Sequence, residues 1–87
     1  MTIKEAIQLL ENRGLYVKVV GDGIAVGTQI YREIGKPDLI GEDNLMIHIY
    51  DIQKGTWIAH SSSLNAIIAE SYDLGEVVEA ALQFYSK

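Results

Sequence analysis

The two histidines of the chain, His48 and His60, come closest to a chemical site by residue type and spacing. Each lies in a segment with the pattern of a β-strand, and Gln53-Lys54-Gly55 between these segments predicts a short turn. If the turn has three residues, Ile52 faces Thr56 and His48 faces His60, whereas a two-residue turn puts the histidines on opposite faces. Facing imidazoles can share a metal ion. No third ligand is evident, so we interpret the histidines as ordinary strand residues and keep metal binding and a pH-sensitive interface as alternatives.

Acidic residues form two groups in the sequence, which are Glu33, Asp38, Glu42 and Asp43, and then Glu70, Asp73, Glu76 and Glu79. The first group falls in or beside a predicted solvated loop. In the second group, Asp73 and Glu76 have the spacing of a helix start. Neither group therefore predicts a pair of catalytic carboxylates. A surface that meets a basic protein partner is the alternative for both groups.

Two further segments resemble parts of known catalytic or binding motifs. Ser61-Ser62-Ser63 lacks the Gly-x-Ser-x-Gly pattern of a nucleophile elbow, and Gly21-Asp22-Gly23 lacks the lysine and following helix of a phosphate-binding loop. Both segments predict turns. We therefore expect no catalytic residue, no cofactor-binding residue and no enzymatic activity.

Length and composition limit the possible classes of protein. The chain has 87 residues with 7 basic and 12 acidic side chains, a formal net charge of −5, which indicates a single domain over residues 1–87. The negative charge and the dispersed basic residues disfavour nucleic-acid binding by the chain alone. The absence of cysteine excludes disulfides and thiol-ligated metals. With no signal-like or membrane-spanning apolar segment, we expect a cytoplasmic protein that does not enter membranes.

Helices are predicted at both ends of the sequence. Thr2 and Glu5 have the spacing of a capping box, and the helix they begin should end at Gly14, with Leu15 folding back on Leu10. A second helix should begin at Asp73. Its buried side is predicted to carry Leu74, Val77, Val78, Ala81, Leu82 and Tyr85, with Glu76, Glu79 and Gln83 in water.

Strands are predicted between the helices. Residues 15–20 and 24–26 form a hairpin around Gly21-Asp22-Gly23, whose glycines supply positive φ angles, and its second strand could continue to Ile30. A loop is expected from Gly35 to Asn44. Residues 45–52 and 56–60 form a second hairpin, and residues 64–72, which could be strand or helix, are interpreted as a short strand. The prediction is an α+β fold: an antiparallel sheet of four to five strands with both helices on one face.

The alternation in residues 45–52 indicates what the other face of the sheet does. Leu45, Ile47 and Ile49 point to one side of this strand, and the other side carries Met46, His48, Tyr50 and Ile52. A strand that is apolar on both sides is a buried central strand, an interface in a homodimer or with another protein, or part of a small-molecule groove. As interface residues we predict Met46, His48, Tyr50 and His60.

The second half of the sequence resembles a known family. The segment from Trp57 to Ala66, the segment Ile67-Ile68-Ala69-Glu70-Ser71 and the helix that begins Asp73-Leu74-Gly75-Glu76 resemble the HicB-like antitoxins, over roughly residues 45–87. In that family a strand, a bend, a second strand and an acidic helix follow one another. The resemblance implies an antitoxin-like inhibitor.

Together these observations predict a small non-enzymatic interaction domain, in a homodimer, that presents a sheet face and an acidic helix surface to a protein partner. An antitoxin-like or immunity-like inhibitor is the most specific form of this prediction. One alternative is a small metal- or ligand-binding protein that uses His48 and His60. A second is an RNA-binding α-β-β-β-α module, which the charge disfavours because the chain has no basic stripe.

Overall fold

The computed structural model describes residues 1–28, 30–31, 39–40, 46–53, 55–62 and 64–86. These residues form two helices and seven strands, in the order α1 (Ile3–Asn12), β1 (Tyr16–Val20), β2 (Gly23–Gly27), β3 (Ile30–Tyr31), β4 (Leu39–Ile40), β5 (Ile47–Gln53), β6 (Thr56–Ser61), β7 (Ala66–Ser71) and α2 (Leu74–Tyr85). Five strands form an antiparallel sheet in the order β1-β2-β5-β6-β7, and β3 pairs with β4. The predicted α+β fold is confirmed.

Helix α1 begins and ends as its sequence predicts. The Thr2 hydroxyl accepts a hydrogen bond from the Glu5 amide at 3.1 Å, and the Thr2 amide donates to the Glu5 carboxylate at 2.9 Å. This bond from the backbone holds the pKa of Glu5 below its ordinary value. At the other end Gly14 has φ +84°, and the Leu15 amide donates to the Leu10 carbonyl at 3.2 Å. The helix therefore has a capping box and a Schellman motif.

The junction between β7 and α2 also follows local hydrogen-bond chemistry. The Asp73 carboxylate accepts from the Gly75 amide at 2.9 Å and caps the helix. The Ser71 hydroxyl accepts from the Asp73 amide at 3.0 Å and donates to the Glu76 carboxylate at 2.8 Å. The predicted helix start at Asp73 and the strand interpretation of residues 64–72 are confirmed.

Both helices pack on one face of the five-stranded sheet, here called the helix face. The buried core joins sheet residues Ile24, Val26, Ile47, Ile49 and Ala59 to helix residues Ala6, Leu10, Leu74, Val77, Val78, Ala81 and Leu82. Strand β5 lies in the centre of the sheet, as its apolar pattern predicts. Among the described residues no helix is long and apolar enough to cross a membrane. We call the opposite side of the sheet the second face.

The loop predicted from Gly35 to Asn44 is wrong at Leu39–Ile40, which forms β4 and pairs with β3. Strand β2 ends at Gly27, so the segment that reaches Ile30 is not its continuation. Two-residue strands are too short to show an alternating pattern, which explains why the sequence does not reveal them. The rest of that loop, Leu45 and the first acidic group lie outside the described residues.

The turn between β1 and β2 uses its glycines differently from the prediction. Gly21 has φ +57°, as expected of the first residue of a type II′ turn. Gly23 has no positive φ and belongs to β2. It is a glycine for another reason: a Cβ at this position would collide with the backbone oxygen of Ile49 and lie 2.8 Å from the Cβ of Tyr50. Strands β2 and β5 are thus close at this position.

Candidate functional site

The register between β5 and β6 brings the two histidines together. Gln53 faces Thr56, so only two positions separate the strands, which is the turn length expected from the sequence to put the histidines on opposite faces. A β-bulge between Asp51 and Gln53 then shifts the register by one residue, and His48 lies opposite His60. Of the two arrangements that the sequence leaves open, the structure has the one in which the histidines face each other, and a bulge rather than the turn length produces it.

Alternation along the strands assigns the residues of the second face. They are Tyr16, Lys18 and Val20 on β1, Gly23, Ala25 and Gly27 on β2, His48 and Tyr50 on β5, Ile58 and His60 on β6, and Ile67 and Glu70 on β7. Neighbours across the sheet follow the row Lys18, Ala25, His48, His60 and Ile67. Histidines thus occupy the middle of an otherwise largely apolar surface.

Burial on the second face is uneven. Ile58 is only 2% exposed and Ala25 only 3%, although neither belongs to the core beneath the helices. Ile58 is flanked by Tyr50 and Glu70, the residues that pair with it on either side. Tyr50 itself is 38% exposed and Ile67 is 52% exposed. On this face Ile58 and Ala25 are therefore buried, whereas the large apolar side chains of Tyr50 and Ile67 are exposed to solvent.

Both histidines are half-buried. Burial lowers the pKa of His48, and the neighbouring His60 adds to this effect because a second positive charge opposes protonation. Side chains that pair directly in an antiparallel sheet have Cβ atoms about 4.5–5.5 Å apart. No group of three or more potential metal ligands occurs among the described residues. The site thus offers two neighbouring imidazoles.

Met46, the fourth predicted interface residue, lies just before β5. Its carbonyl accepts a hydrogen bond from the Ser62 amide at 3.0 Å, and its side chain is half-buried. Met46 therefore closes the end of the β5–β6 pair, while the half-buried His48 and His60 and the more exposed Tyr50 lie in the middle of the surface. Ser61 is fully buried, and its hydroxyl accepts from the Leu64 amide at 3.3 Å, in keeping with a turn role.

Sequence reasoning missed Ile67 and Ile58 as members of this surface. Ile58 could have been assigned from alternation, because it lies two residues before His60. Ile67 could not, since a bulge in the β6–β7 pairing, between Ala59 and His60, changes which β7 residues share the face.

The second acidic group is divided by the fold: Glu70 lies on the second face, whereas Glu76 and Glu79 are exposed on α2.

An open cavity of about 390 Å³ lies at one end of the sheet, away from the histidines. Its walls come from the ends of β5, β6 and β7 and include Ile52, Gln53, Thr56, Glu70, Ser71 and Tyr72. It is shallow, and Tyr72 at its border is 83% exposed. This cavity therefore does not include the predicted interface residues Met46, His48, Tyr50 and His60.

Comparisons with protein-family models, curated proteins and solved structures found no match to this chain. The resemblance of residues 45–87 to HicB-like antitoxins stays a prediction.

Proposed function

We propose that this chain is a small non-enzymatic interaction domain, placed in the cytoplasm, whose second face is the contact surface between two copies in a homodimer. The observation that carries the proposal is the exposure of large apolar residues there: Val20 is 49% exposed, Tyr50 38% and Ile67 52%. The helix face has its own cover in α1 and α2. Burial of the second face against another sheet would give a two-layer β packing with sheets about 10 Å apart.

The charges on this face favour a second copy as the occupant. Among its described residues, Lys18 lies on edge strand β1 and Glu70 on the opposite edge strand β7, and both are exposed. A two-fold axis parallel to the strands places β1 of one copy over β7 of the other. Each Lys18 then lies over β7 of the partner subunit, one row along the sheet from Glu70 of the partner subunit, and the uncharged centres meet each other. A basic partner would gain no such match, since Lys18 would repel it.

The test is the variant Tyr50→Glu in analytical ultracentrifugation, with circular dichroism as the check on folding. The wild type should sediment as a dimer. Tyr50→Glu should sediment as a folded monomer, because a carboxylate at this partly exposed position is solvated in the monomer and desolvated in the dimer. Tyr72→Glu is the matched control, because Tyr72 is 83% exposed outside the strands, and it should stay dimeric. A monomeric wild type, or a dimeric Tyr50→Glu, would refute the proposal.

An antitoxin-like or immunity-like inhibitor is the more specific form of this function. Glu76 and Glu79 are exposed on α2, and this helix contains no basic residue. Such a helix suits a basic protein partner, for which charge complementarity speeds association. A partner co-purified with the wild type and identified by mass spectrometry should be basic. It should be lost with the double variant E76Q/E79Q and retained with E11Q, which neutralises an exposed glutamate on α1. Retention by E76Q/E79Q would contradict this form.

A further inference from the structure

We infer that His48 and His60 together bind one divalent transition-metal ion of the Zn²⁺ and Cu²⁺ class on the second face. The inference rests on their direct pairing across β5 and β6, which puts both imidazoles on the same side of the sheet. It needs residues of a single chain only. The pair lies on the same face as the proposed homodimer contact, but metal binding is measured by titration and the dimer by sedimentation, so the failure of one proposal is distinguishable from the failure of the other.

The spacing suits chelation. Paired Cβ atoms lie about 4.5–5.5 Å apart. Two imidazole nitrogens that bind the same ion each lie about 2.0–2.1 Å from it, so the rings need only lean toward each other from their strands. Both strands are held in the sheet on either side, β5 by β2 and β6 by β7. The backbone is thus already in place before the ion arrives, and little conformational entropy is lost on binding.

The neighbours leave the imidazoles available. On the row that crosses both histidines, Ala25 lies beside His48 and Ile67 lies beside His60. Neither an alanine nor an isoleucine side chain can form a hydrogen bond with a ring nitrogen.

The charged neighbours are compatible with a cation. Glu70 pairs with Ile58, two residues from His60, so its carboxylate is a diagonal neighbour that attracts the ion. Lys18 lies beyond Ala25, two strands away from His48. Two imidazoles supply half of a tetrahedral coordination sphere, and water completes it. Nitrogen ligation selects Cu²⁺ over Zn²⁺ in affinity and disfavours Mg²⁺ and Ca²⁺.

The test is isothermal titration of untagged protein with ZnCl₂ and with CuCl₂ at pH 7.5. We expect one ion per chain, tighter binding of Cu²⁺ than of Zn²⁺, and no heat with MgCl₂. H48Q and H60Q should each weaken binding by at least about tenfold, because each leaves a single imidazole. Both variants remove a half-buried side chain, so circular dichroism must show the wild-type fold.

Electron paramagnetic resonance of the Cu²⁺ complex provides a second readout. The wild type should show hyperfine splitting from two equivalent imidazole nitrogens, and H60Q should lose it. The matched control is E79Q, which neutralises an exposed carboxylate on α2, keeps both imidazoles and should keep the splitting. Absence of binding by the wild type would overturn the inference. So would a Cu²⁺ signal that is unchanged in H60Q, since the ion would then be bound elsewhere, for example at the terminal amine.

Discussion

Gly23 and Tyr50 lie side by side on β2 and β5, so close that a Cβ added to the glycine would be 2.8 Å from the Cβ of Tyr50. Real Cβ atoms do not approach each other this closely. Only a glycine at position 23 therefore allows β2 to pair with β5 beside Tyr50, the largest exposed side chain of β5. A glycine assigned to the turn from its sequence thus shapes the proposed interface.

Gly23→Ala should therefore lower stability and disturb the second face together. The added methyl group must push β2 from β5, because it also meets the backbone oxygen of Ile49, and such overpacking costs about 1–3 kcal/mol. Urea denaturation measures the loss. Gly21→Asn is the control, since nothing lies within 4 Å of a Cβ there and asparagine tolerates a positive φ. Equal stability of the two variants would show that the strands separate freely at Gly23.

Truncation to alanine should lower the stability of the monomer strongly at Ile58 and only slightly at Ile67. Ile58 is 2% exposed, so Ile58→Ala should destabilise the chain by about 2–5 kcal/mol through lost burial and a cavity. Ile67 is 52% exposed, and Ile67→Ala should change the stability of the monomer by about 0.5 kcal/mol or less while weakening the dimer. Denaturation at low protein concentration and ultracentrifugation separate these effects. A large loss of monomer stability in Ile67→Ala would place Ile67 in a core instead.

Acidification from pH 7.5 to pH 5.5 should destabilise the protein through His48. Its pKa is lowered in the folded state from the ordinary value of 6.5, so the unfolded chain binds the proton more readily. The stability is complete above pH 6.5 and falls as the pH drops from there toward the folded-state pKa. Urea midpoints of the wild type and H48Q measure this, and the variant should lose the His48 contribution. Keeping the pH above 5 limits interference from carboxylates. A wild-type midpoint that does not fall, or one that falls equally in H48Q, would contradict this role.

The fold could be predicted where local chemistry decides it. The helix caps depend on hydrogen bonds between residues only a few positions apart, so they can be predicted from the sequence. They are the capping box of Thr2 and Glu5, the Schellman motif of Gly14 and Leu15, and the N-cap Asp73. The bulges could not be predicted. The bulge between Asp51 and Gln53 allows a two-residue turn to be combined with the register that buries Ile47 and Ile49. That register is determined by the packing of the whole sheet, which local sequence does not reveal.

The same distinction explains the candidate site. The pairing of His48 with His60 follows from the sequence only for a longer turn, and the structure reaches the same pairing because a bulge and an added turn residue shift the register equally. The exposure of Ile67 depends on a second bulge and on a strand that ends the sheet. Neither the second bulge nor the edge position of β7 produces a periodic signal in residues 64–72.

Tyr85 connects the end of α2 to strand β2, and its hydroxyl should contribute measurably to stability. The hydroxyl donates to the Val26 carbonyl at 2.9 Å, across 59 residues of sequence. Tyr85→Phe keeps the ring and its edge-to-face contact with Phe84, at 5.3 Å between centroids, but removes the donor. We expect a loss of about 1 kcal/mol. Tyr72→Phe, at an 83% exposed position, should leave the urea midpoint unchanged. If both variants unfold at the wild-type midpoint, water replaces the Tyr85 hydroxyl at no cost, and packing alone holds α2 against β2.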